Sequence, residues 1–568
     1  MPTCVTSKSE EHSLRLQNIQ MPTKDSVFAE EQRERCDVVD NKTPLHVRHP
    51  SSGESLRTNS RDNEKDTSTA EFPMRKKTYQ ITLWTKLMSV LNFFLFLSII
   101  WFKEIFHGIF SSPDKRFRRG YAPLIKDFDE LWNRCFYRRA SNCFAIPIDS
   151  RPSRVIGIME RVSHDDNATF QRTGKIIPAI NLGSYNYLGF ADDVPIVTQN
   201  VLDCLAEQGL SSCSPPQELG QNAQLERLEK AFANFLGKDD AIVCGMGFST
   251  NFRGLPALFG KGTFVISDKL NHSSIVNGVR SSGAVVKPFK HNEYAEVEKL
   301  AREAIIFGQN PSGPYKPWDR IVIIVEGIYS MEGEIVDLKT FVNIKKKYKA
   351  LLFVDEAHSI GAIGRTGRGV CEFTGVDPKD VDVLMGTFTK SFGSIGGYIA
   401  SDQSVIDYIR VQSSLALYCD TLSPPCAQQV LSVLDVILGN EGTNMGRKRI
   451  AQLKENSSFF RQGLIKRGFT VLGDDSSPVI PVMLFNLSKL PEVSLRCLQR
   501  GVAIVIVGYP ATSLLEGRIR FCVSAAHTRE DLEYTLDVME DLSKYIYMDY
   551  EGSNFFIAKK KQQDLLAH

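Results

Sequence analysis

The sequence predicts an α/β fold in which a mostly parallel sheet, covered by helices, is followed by a smaller C-terminal α+β domain. Three observations carry this. The runs "RIVIIVEG" (320–327), "LKTFVNIKKKYK" (338–349) and "LLFVDEAHS" (351–359) read as buried strand, amphipathic helix and buried strand, which is a β-α-β unit. The helix places Leu338, Phe341, Val342 and Tyr348 on one face. Two more short apolar runs follow, "VDVLMG" (381–386) and "GGYIAS" (396–401), and strands apolar throughout suit a sheet covered on both sides. Beyond "TLSPP" (421–425) a long helical stretch leads to the strands "SPVIPVMLF" (477–485), "VAIVIVG" (502–508) and "GRIRFCV" (517–523). A last helix begins at Thr528 with the capping pattern "TRED".

Outside this globular part the composition changes twice. Residues 1–75 are polar, charged and poor in aromatics, and read as a disordered tail. Over 81–110 the character inverts: "LMSVLNFFLFLSIIWF" (87–102) carries no charge and is flanked by Lys86 and Lys103. A spanning helix needs about 20 apolar residues, or about 17 at the low end, so snorkelling lysines and interfacial Trp84 and Trp101 would complete a membrane segment. An interfacial or re-entrant helix is the other reading of the same run. Basic residues lie on both sides, so they do not fix an orientation. The remaining boundaries read as a linker and arm over 118–180, a large domain over 181–425, a small domain over 426–548 and a tail over 549–568.

At 568 residues the chain is too long for one ordinary core. Lysine and arginine number 68 against 66 acidic residues, which gives no electrostatic pull toward nucleic acid. The twelve cysteines form no CxxC pair and no metal-ligand spacing, which speaks against a zinc site or a disulfide framework.

The unusual residues fall at strand carboxyl ends. Glu326, Asp355, His358 and Lys390 all lie just past apolar runs, where active residues of an open α/β sheet belong and where packing alone has no use for charge. In "GTFTKSFG" (386–393) Lys390 is flanked by small residues that let a ligand approach. "VDEAH" by itself fits a hydrolase, a metal site or a cofactor ring. A metal would want a third ligand, and Glu356 points to the side opposite Asp355. No GxxxxGK[ST] loop supports a helicase-like reading of "DEAH". Taken together, an Asp for a positive ring nitrogen, a Lys for a Schiff base and a glycine-rich turn at a helix start are the needs of pyridoxal phosphate (PLP). The phosphate would sit at "GMGFSTN" (245–251), facing the backbone N–H groups of Gly247 and Phe248, with Thr387 adding a hydroxyl. His272 in "NHSS" follows another strand and could cover the ring; on its own it suits a capping or core role as well.

The set "GSYNYLGF", "GMGFSTN", "SDKLNHSS", "VEGIYSMEG", "VDEAHSIGAIGRTGRG", "GTFTKSFG" and "RFCVSAAHT" closely resembles the α-oxoamine synthases, PLP enzymes of fold type I with an aspartate-aminotransferase-like large domain. Within that family, "GTFTKSFG", "PAT" before "RFC" and the N-terminal apolar segment resemble the catalytic long-chain-base subunits of the serine-using branch. The resemblance covers roughly residues 118 to 545. It implies that Lys390 carries PLP, that Asp355 pairs with the ring nitrogen, that His358 contacts the ring hydroxyl and that His272 stacks on the ring. It implies that Gly247, Phe248, Ser330 and Thr387 hold the cofactor's phosphate and edge. Arg520, and less well Arg518, would bind a substrate carboxylate. The implied reaction is decarboxylating condensation of L-serine with a long-chain acyl-CoA, with Lys390 as the base. A homologous partner of the long-chain-base subunit 1 type, small membrane regulatory subunits and a location at the endoplasmic reticulum membrane, facing the cytosol, come with the resemblance.

Two departures accompany the match. In "SSCSPPQELGQNAQLERLEK" (211–230), Pro216 stands where the family usually has Arg and Leu225 where it has His, and Ser513 replaces the last proline of "PATP". The first change raises the alternative of a non-catalytic subunit that only supports an active partner. Lys390 argues against that, because such subunits lack the lysine. A soluble aminolevulinate-, aminoketobutyrate- or amino-oxononanoate-forming synthase is the other alternative, and the run 87–102 argues against it.

Overall fold

The computed structural model describes residues 83–110, 141–142, 145–165, 169–310, 312–509, 511–546 and 548. The expected tails over 1–75 and 549–568, and residues 118–140 of the expected linker, lie outside the described residues. Helix α1 (Leu83–Phe110) occupies the expected apolar segment, with Leu91, Phe94 and Trp101 exposed along it. Among the described residues, no helix is long and apolar enough to cross a membrane.

An antiparallel pair, β1 (Val155–Val162) and β2 (Gln171–Asn181), precedes the main sheet. That sheet contains β3 (Asp240–Cys244), β4 (Thr263–Asp268), β5 (Val285–Phe289), β6 (Arg320–Glu326), β7 (Leu351–Asp355), β8 (Val383–Thr387) and β9 (Gly397–Ser401). Their order is β3-β9-β8-β7-β6-β4-β5, and β9 runs antiparallel to both of its neighbours. The other neighbouring pairs are parallel, as near-continuous apolar runs require.

Each strand's alternation decides which side of the sheet a residue serves. Ile323, Val325, Leu352 and Val354 join one core with α2 (Ala223–Leu236). Val322, Ile324 and Phe353 join the other, with α3 (Gly247–Leu258) and α4 (Ser273–Ser282). By the same period, Glu326 and Asp355 must emerge on the α3/α4 side and Glu356 on the opposite one. Glu356 does so: its carboxylate is fully buried and accepts from the Ser359 hydroxyl at 2.6 Å and the Val370 N–H at 2.9 Å. Helix α5 (Leu338–Tyr348) closes the β6–β7 crossover with Leu338, Phe341 and Val342 inward.

The sequence boundary at 425/426 falls inside a helix. In α6 (Pro424–Leu438), Ala427, Val430, Val433, Leu434 and Ile437 pack into the large core. The passage between cores comes in α7 (Met445–Lys466), whose Ile450 and Leu453 face the large core while Phe460 and Leu464 face the small one. Two elements of that small unit are β10 (Val479–Met483) and α8 (Lys489–Gln499). "VAIVIVG", expected as one strand, is divided: β11 (Val502–Ala503) extends the β1–β2 sheet and β12 (Val505–Val507) pairs with β13 (Arg518–Cys522). Every residue of the run from Val502 to Val507 is apolar, so nothing in it marks the change of sheet. The last helix, α9 (Arg529–Ile546), starts as expected. Thr528 Oγ1 accepts from the Asp531 N–H at 3.3 Å and Asp531 accepts from the Thr528 N–H at 2.9 Å, a reciprocal cap.

Candidate active site

The carboxyl ends of β4, β6, β7 and β8 share one edge of the sheet because these strands are parallel. Glu326 and Asp355 are register partners on β6 and β7, so their side chains stand next to each other on the α3/α4 side. Asp355 is 4% exposed, and it accepts hydrogen bonds from Asn251 Nδ2 at 2.7 Å and from the Ala357 N–H at 2.9 Å. Both donors are neutral, which leaves a buried carboxylate without a bonded cation among the described residues. Glu326 takes the backbone N–H of His272, and burial first, then Asp355, pushes its carboxyl well above the usual range.

His272 is the N-cap of α4. Its Nδ1 accepts from the Ser274 N–H at 3.2 Å and lies 2.7 Å from the Ser274 hydroxyl, which leaves Nε2 to carry the proton of the neutral ring. The capping and the ring-facing roles are thus compatible. Burial, joined by Lys390 and opposed by Asp355, holds its pKa below the usual value. His358 Nδ1 lies 2.7 Å from the Tyr187 hydroxyl, and burial with Lys390, Arg520 and His272 nearby keeps the imidazole neutral. The Tyr185 ring meets the His358 ring edge-on at 5.3 Å.

Lys390 follows β8 on the loop facing this group, with Nζ 5.6 Å from the Tyr185 ring centre. Burial lowers its pKa to about 8, against the pull of Asp355 and Glu326, and Arg520 adds to the lowering. Arg520 packs on the same ring, with its guanidinium carbon 4.8 Å from the centre. Arg520 is 6% exposed, its Nε has no hydrogen-bond partner among the described residues, Nη1 lies 3.7 Å from Met331 Sδ, and the guanidinium also bonds the Tyr185 hydroxyl and the Cys522 thiol. Arg518, two residues earlier on the same face of β13, is spent differently. It donates to the Met331 carbonyl at 2.8 Å and pairs with Glu332 at 3.2 Å.

At the start of α3 the first-turn N–H groups of Gly247 and Phe248 lie beside β8. A Cβ on Gly247 would come within 2.6 Å of Thr387 Oγ1, so only glycine lets the turn lie this close. Thr387 Oγ1 is already bonded within the chain, donating to the Gly396 carbonyl at 2.8 Å and accepting from the Thr389 N–H at 3.3 Å. Thr389, which is exposed, carries the neighbouring hydroxyl. Ser330 lies on the turn after β6, one residue before Met331, and makes no side-chain hydrogen bond among the described residues.

The chain matches the family described as aminotransferase class I and II over residues 177–539. It is 46% identical to long chain base biosynthesis protein 2d of Oryza sativa subsp. japonica, over 82% of this chain and 95% of that one. It is equally 46% identical to serine palmitoyltransferase 2 of Dictyostelium discoideum, over 78% of this chain and 90% of that one. The chain belongs to the serine palmitoyltransferase family. A solved structure of a lysine-to-alanine variant of serine palmitoyltransferase from S. paucimobilis, with a bound PLP–myriocin aldimine, is 25% identical and superposes with a TM-score of 0.64, covering 75% of this chain and 99% of that one.

As a member of this family, the chain keeps its unusual 211–230 stretch firmly seated. Leu225 is buried in the large core at the start of α2, where Asn222 caps the helix by accepting from the Leu225 N–H at 2.9 Å. Pro216 opens a single turn that ends at Gly220, and Thr421 donates to the Ser214 carbonyl at 3.0 Å and Ser423 to the Leu210 carbonyl. Leu219 on that turn is 87% exposed. Sequence reasoning missed Asn251, Tyr185, Tyr187 and Ser274. Each lies inside a quoted motif; Asn251, Tyr185 and Tyr187 make their contacts across the fold, as in Asn251 on α3 reaching Asp355 on β7, whereas Ser274 acts on His272 two residues before it.

Proposed function

We propose that this chain is the PLP-bearing catalytic subunit of a serine C-palmitoyltransferase. It condenses L-serine with a long-chain acyl-CoA such as palmitoyl-CoA and releases CoA and CO2, giving 3-ketosphinganine. The observation that carries this is the Asp355–Lys390 pair: a buried carboxylate bonded only by neutral donors, facing a lysine whose pKa is lowered to about 8. These residues fit PLP. Asp355 would hold the protonated ring nitrogen, Lys390 the aldehyde carbon, and the Gly247 and Phe248 N–H groups the phosphate, with Ser330, Thr387 and Thr389 at its edge. When bound, PLP supplies an electron sink for the bond-breaking at the amino-acid α-carbon.

The chain's own residues do the rest. Asn251 aims the Asp355 carboxylate. His272, fixed by Ser274 and by the carboxyl of Glu326, would cover the face of the cofactor ring. With Tyr187 donating to Nδ1, His358 would have a protonated Nε2 to offer the ring hydroxyl. Arg520 receives the serine carboxylate, a charge-assisted contact suited to a planar guanidinium that has no acidic partner of its own. With PLP and serine bound, Lys390 would be the base for the α-proton, a task for which a lowered pKa suits it.

Association with a membrane, at the endoplasmic reticulum and with the catalytic unit facing the cytosol, belongs to the same reading. It is supported by the charge-free run 87–102 and by the exposed Leu87, Leu91, Phe94, Leu95 and Trp101 of α1, which soluble proteins rarely leave uncovered. A homologous long-chain-base partner and small membrane subunits complete the assembly, with exposed Leu219 near the altered loop available to such a partner. The test is the visible spectrum of the purified chain with its partner subunit, before and after serine, followed by turnover of labelled acyl-CoA. A PLP band that shifts with serine and disappears in Lys390→Ala is expected; a colourless protein would refute the proposal.

A further inference from the structure

A second charged cluster lies behind the site, and the reaction proposed above does not use it. His291 sits between two carboxylates, with Nδ1 2.8 Å from Asp268 Oδ2 and Nε2 3.2 Å from Glu334 Oε2. Burial pulls its pKa down, but the hydrogen bonds to Asp268 and Glu334 outweigh this and push it up to about 10, so the ring is an imidazolium at neutral pH. Asn292 Nδ2 adds a bond to the same Glu334 oxygen at 2.7 Å. On the other side, Tyr329 donates to Asp268 Oδ2 at 3.1 Å, and its ring packs edge-on against His291 at 4.3 Å.

Tyr329 and Glu334 are the two shoulders of one tight loop. The Tyr329 N–H donates to the Glu334 carbonyl at 3.0 Å, the Gly333 N–H to the Tyr329 carbonyl at 2.7 Å, and Ile328 bridges to Ile335. The tip between the shoulders is Ser330, Met331 and Glu332. Arg518 braces the tip from β13, and Met331 Sδ is the atom that touches Arg520. The tip is therefore held from two sides, by the His291 clamp and by Arg518, and it closes over the arginine that receives the carboxylate.

We propose that His291, clamped between Asp268 and Glu334, is a positioning residue that fixes the 329–334 loop and thereby sets the serine-binding geometry of Arg520. The clamp touches no substrate; it acts through Tyr329 and Met331. This rests on the functional reading above, and the two fail separately. If the wild-type complex shows no serine-dependent spectral shift, the functional reading fails; if it does, the variants below decide the clamp.

The experiment uses the full chain reconstituted with its partner and PLP, titrated with serine by absorbance, with KM for serine and for palmitoyl-CoA measured alongside. A displacement of about 1 Å at a substrate-positioning group costs up to about a hundredfold, so His291→Ala should raise the serine Kd and KM by about tenfold to a hundredfold and leave KM for palmitoyl-CoA unchanged. His291→Gln, which retains a neutral donor, should fall between. Glu334→Gln opens only the half-exposed side of the clamp and keeps the question answerable if His291→Ala does not fold; a smaller rise of the same kind is expected. Amide hydrogen exchange without PLP should quicken at 329–334 in His291→Ala. Unchanged serine affinity, with or without that quickening, overturns the proposal, as does an equal loss for both substrates.

Discussion

The two arginines of β13 offer the sharpest test, because they share a strand and a face but differ in what holds them. Among the described residues Arg520 has no acidic partner and an unbonded Nε, whereas Arg518 is 2% exposed and paired with Glu332. A hydrogen bond to a charged group contributes about 1.5–3 kcal/mol, so a two-pronged contact from Arg520 to the serine carboxylate is worth about 3–6 kcal/mol at most. Water entering the emptied site recovers part of that. Arg520→Ala should thus raise KM for serine by about a hundredfold to a thousandfold, or about 3–4 kcal/mol, with little change for palmitoyl-CoA. Arg520→Lys should lose less, since it keeps the charge without the fork. In Arg518→Ala the larger loss falls on folding, about 3–5 kcal/mol because Glu332 loses its buried partner, with a smaller rise in serine KM because the loop tip loses one brace. Initial rates against each substrate, together with denaturant midpoints, separate the two effects. The reasoning is refuted if Arg518→Ala raises serine KM as far as Arg520→Ala does at unchanged stability, or if Arg520→Ala leaves serine KM alone.

Four further outcomes follow from the same geometry. The free amine of Lys390 titrates near 8, so the rate at which the cofactor-free chain captures PLP should rise with pH along one ionisation near 8; a midpoint near that of an ordinary lysine would refute the assignment. Glu326→Gln should keep the acceptor for the His272 N–H and lose less than about tenfold in kcat, while Asp355→Asn should lose a hundredfold or more, measured by turnover at saturating substrates. His527 is buried with its Nδ1 accepting from the Ser524 N–H, and burial lowers its pKa to about 4. The unfolded chain therefore binds an extra proton between about pH 6.5 and 4, stability falls as pH drops through that window by about 3 kcal/mol, and His527→Gln should flatten the denaturation midpoint there. Gly247→Ala brings a Cβ within 2.6 Å of Thr387 Oγ1 and should weaken PLP binding at least about tenfold by fluorescence titration; unchanged affinity would remove that turn from the cofactor site.

The main sheet was legible because its signals are local. The apolar runs ending at Glu326, Asp355 and Thr387 announce buried strands, and the charge that follows each one marks the functional edge. What was not legible depends on partners distant in sequence. Nothing in "VAIVIVG" marks the break at Ile504, since both halves are apolar and only their neighbours β2 and β13 differ. The boundary placed at 425/426 follows the proline pair, but Pro424 and Pro425 open α6, where proline is tolerated in the first turn, and do not end a domain. Arg518 and Arg520 could be ranked by motif alone, yet the reason for the ranking, Glu332, sits on a loop nearly two hundred residues earlier. Asn251 was quoted within "GMGFSTN" as part of a phosphate turn, while its amide serves the carboxylate of β7.

The site's charges also explain why two carboxylates can share so enclosed an edge. Neighbouring buried carboxylates cannot both ionise at low cost, and the fold distinguishes them by what it bonds to each. Glu326, with one backbone N–H and a carboxyl pushed well up, serves as a neutral acceptor that fixes His272. Asp355 receives two donors, one of them from Asn251, and faces the space bounded by Lys390 and the two histidines. Both histidines are held neutral, so Lys390 and Arg520 are the cations of the cluster, and in the proposed reading each would serve one end of an amino-acid substrate. An arrangement with both imidazoles charged would add two positive groups next to Lys390 and hold its amine in a still less basic state. Burial keeps both imidazoles neutral, and that leaves the Lys390 amine basic enough to accept a proton and, once deprotonated, free to act as a nucleophile.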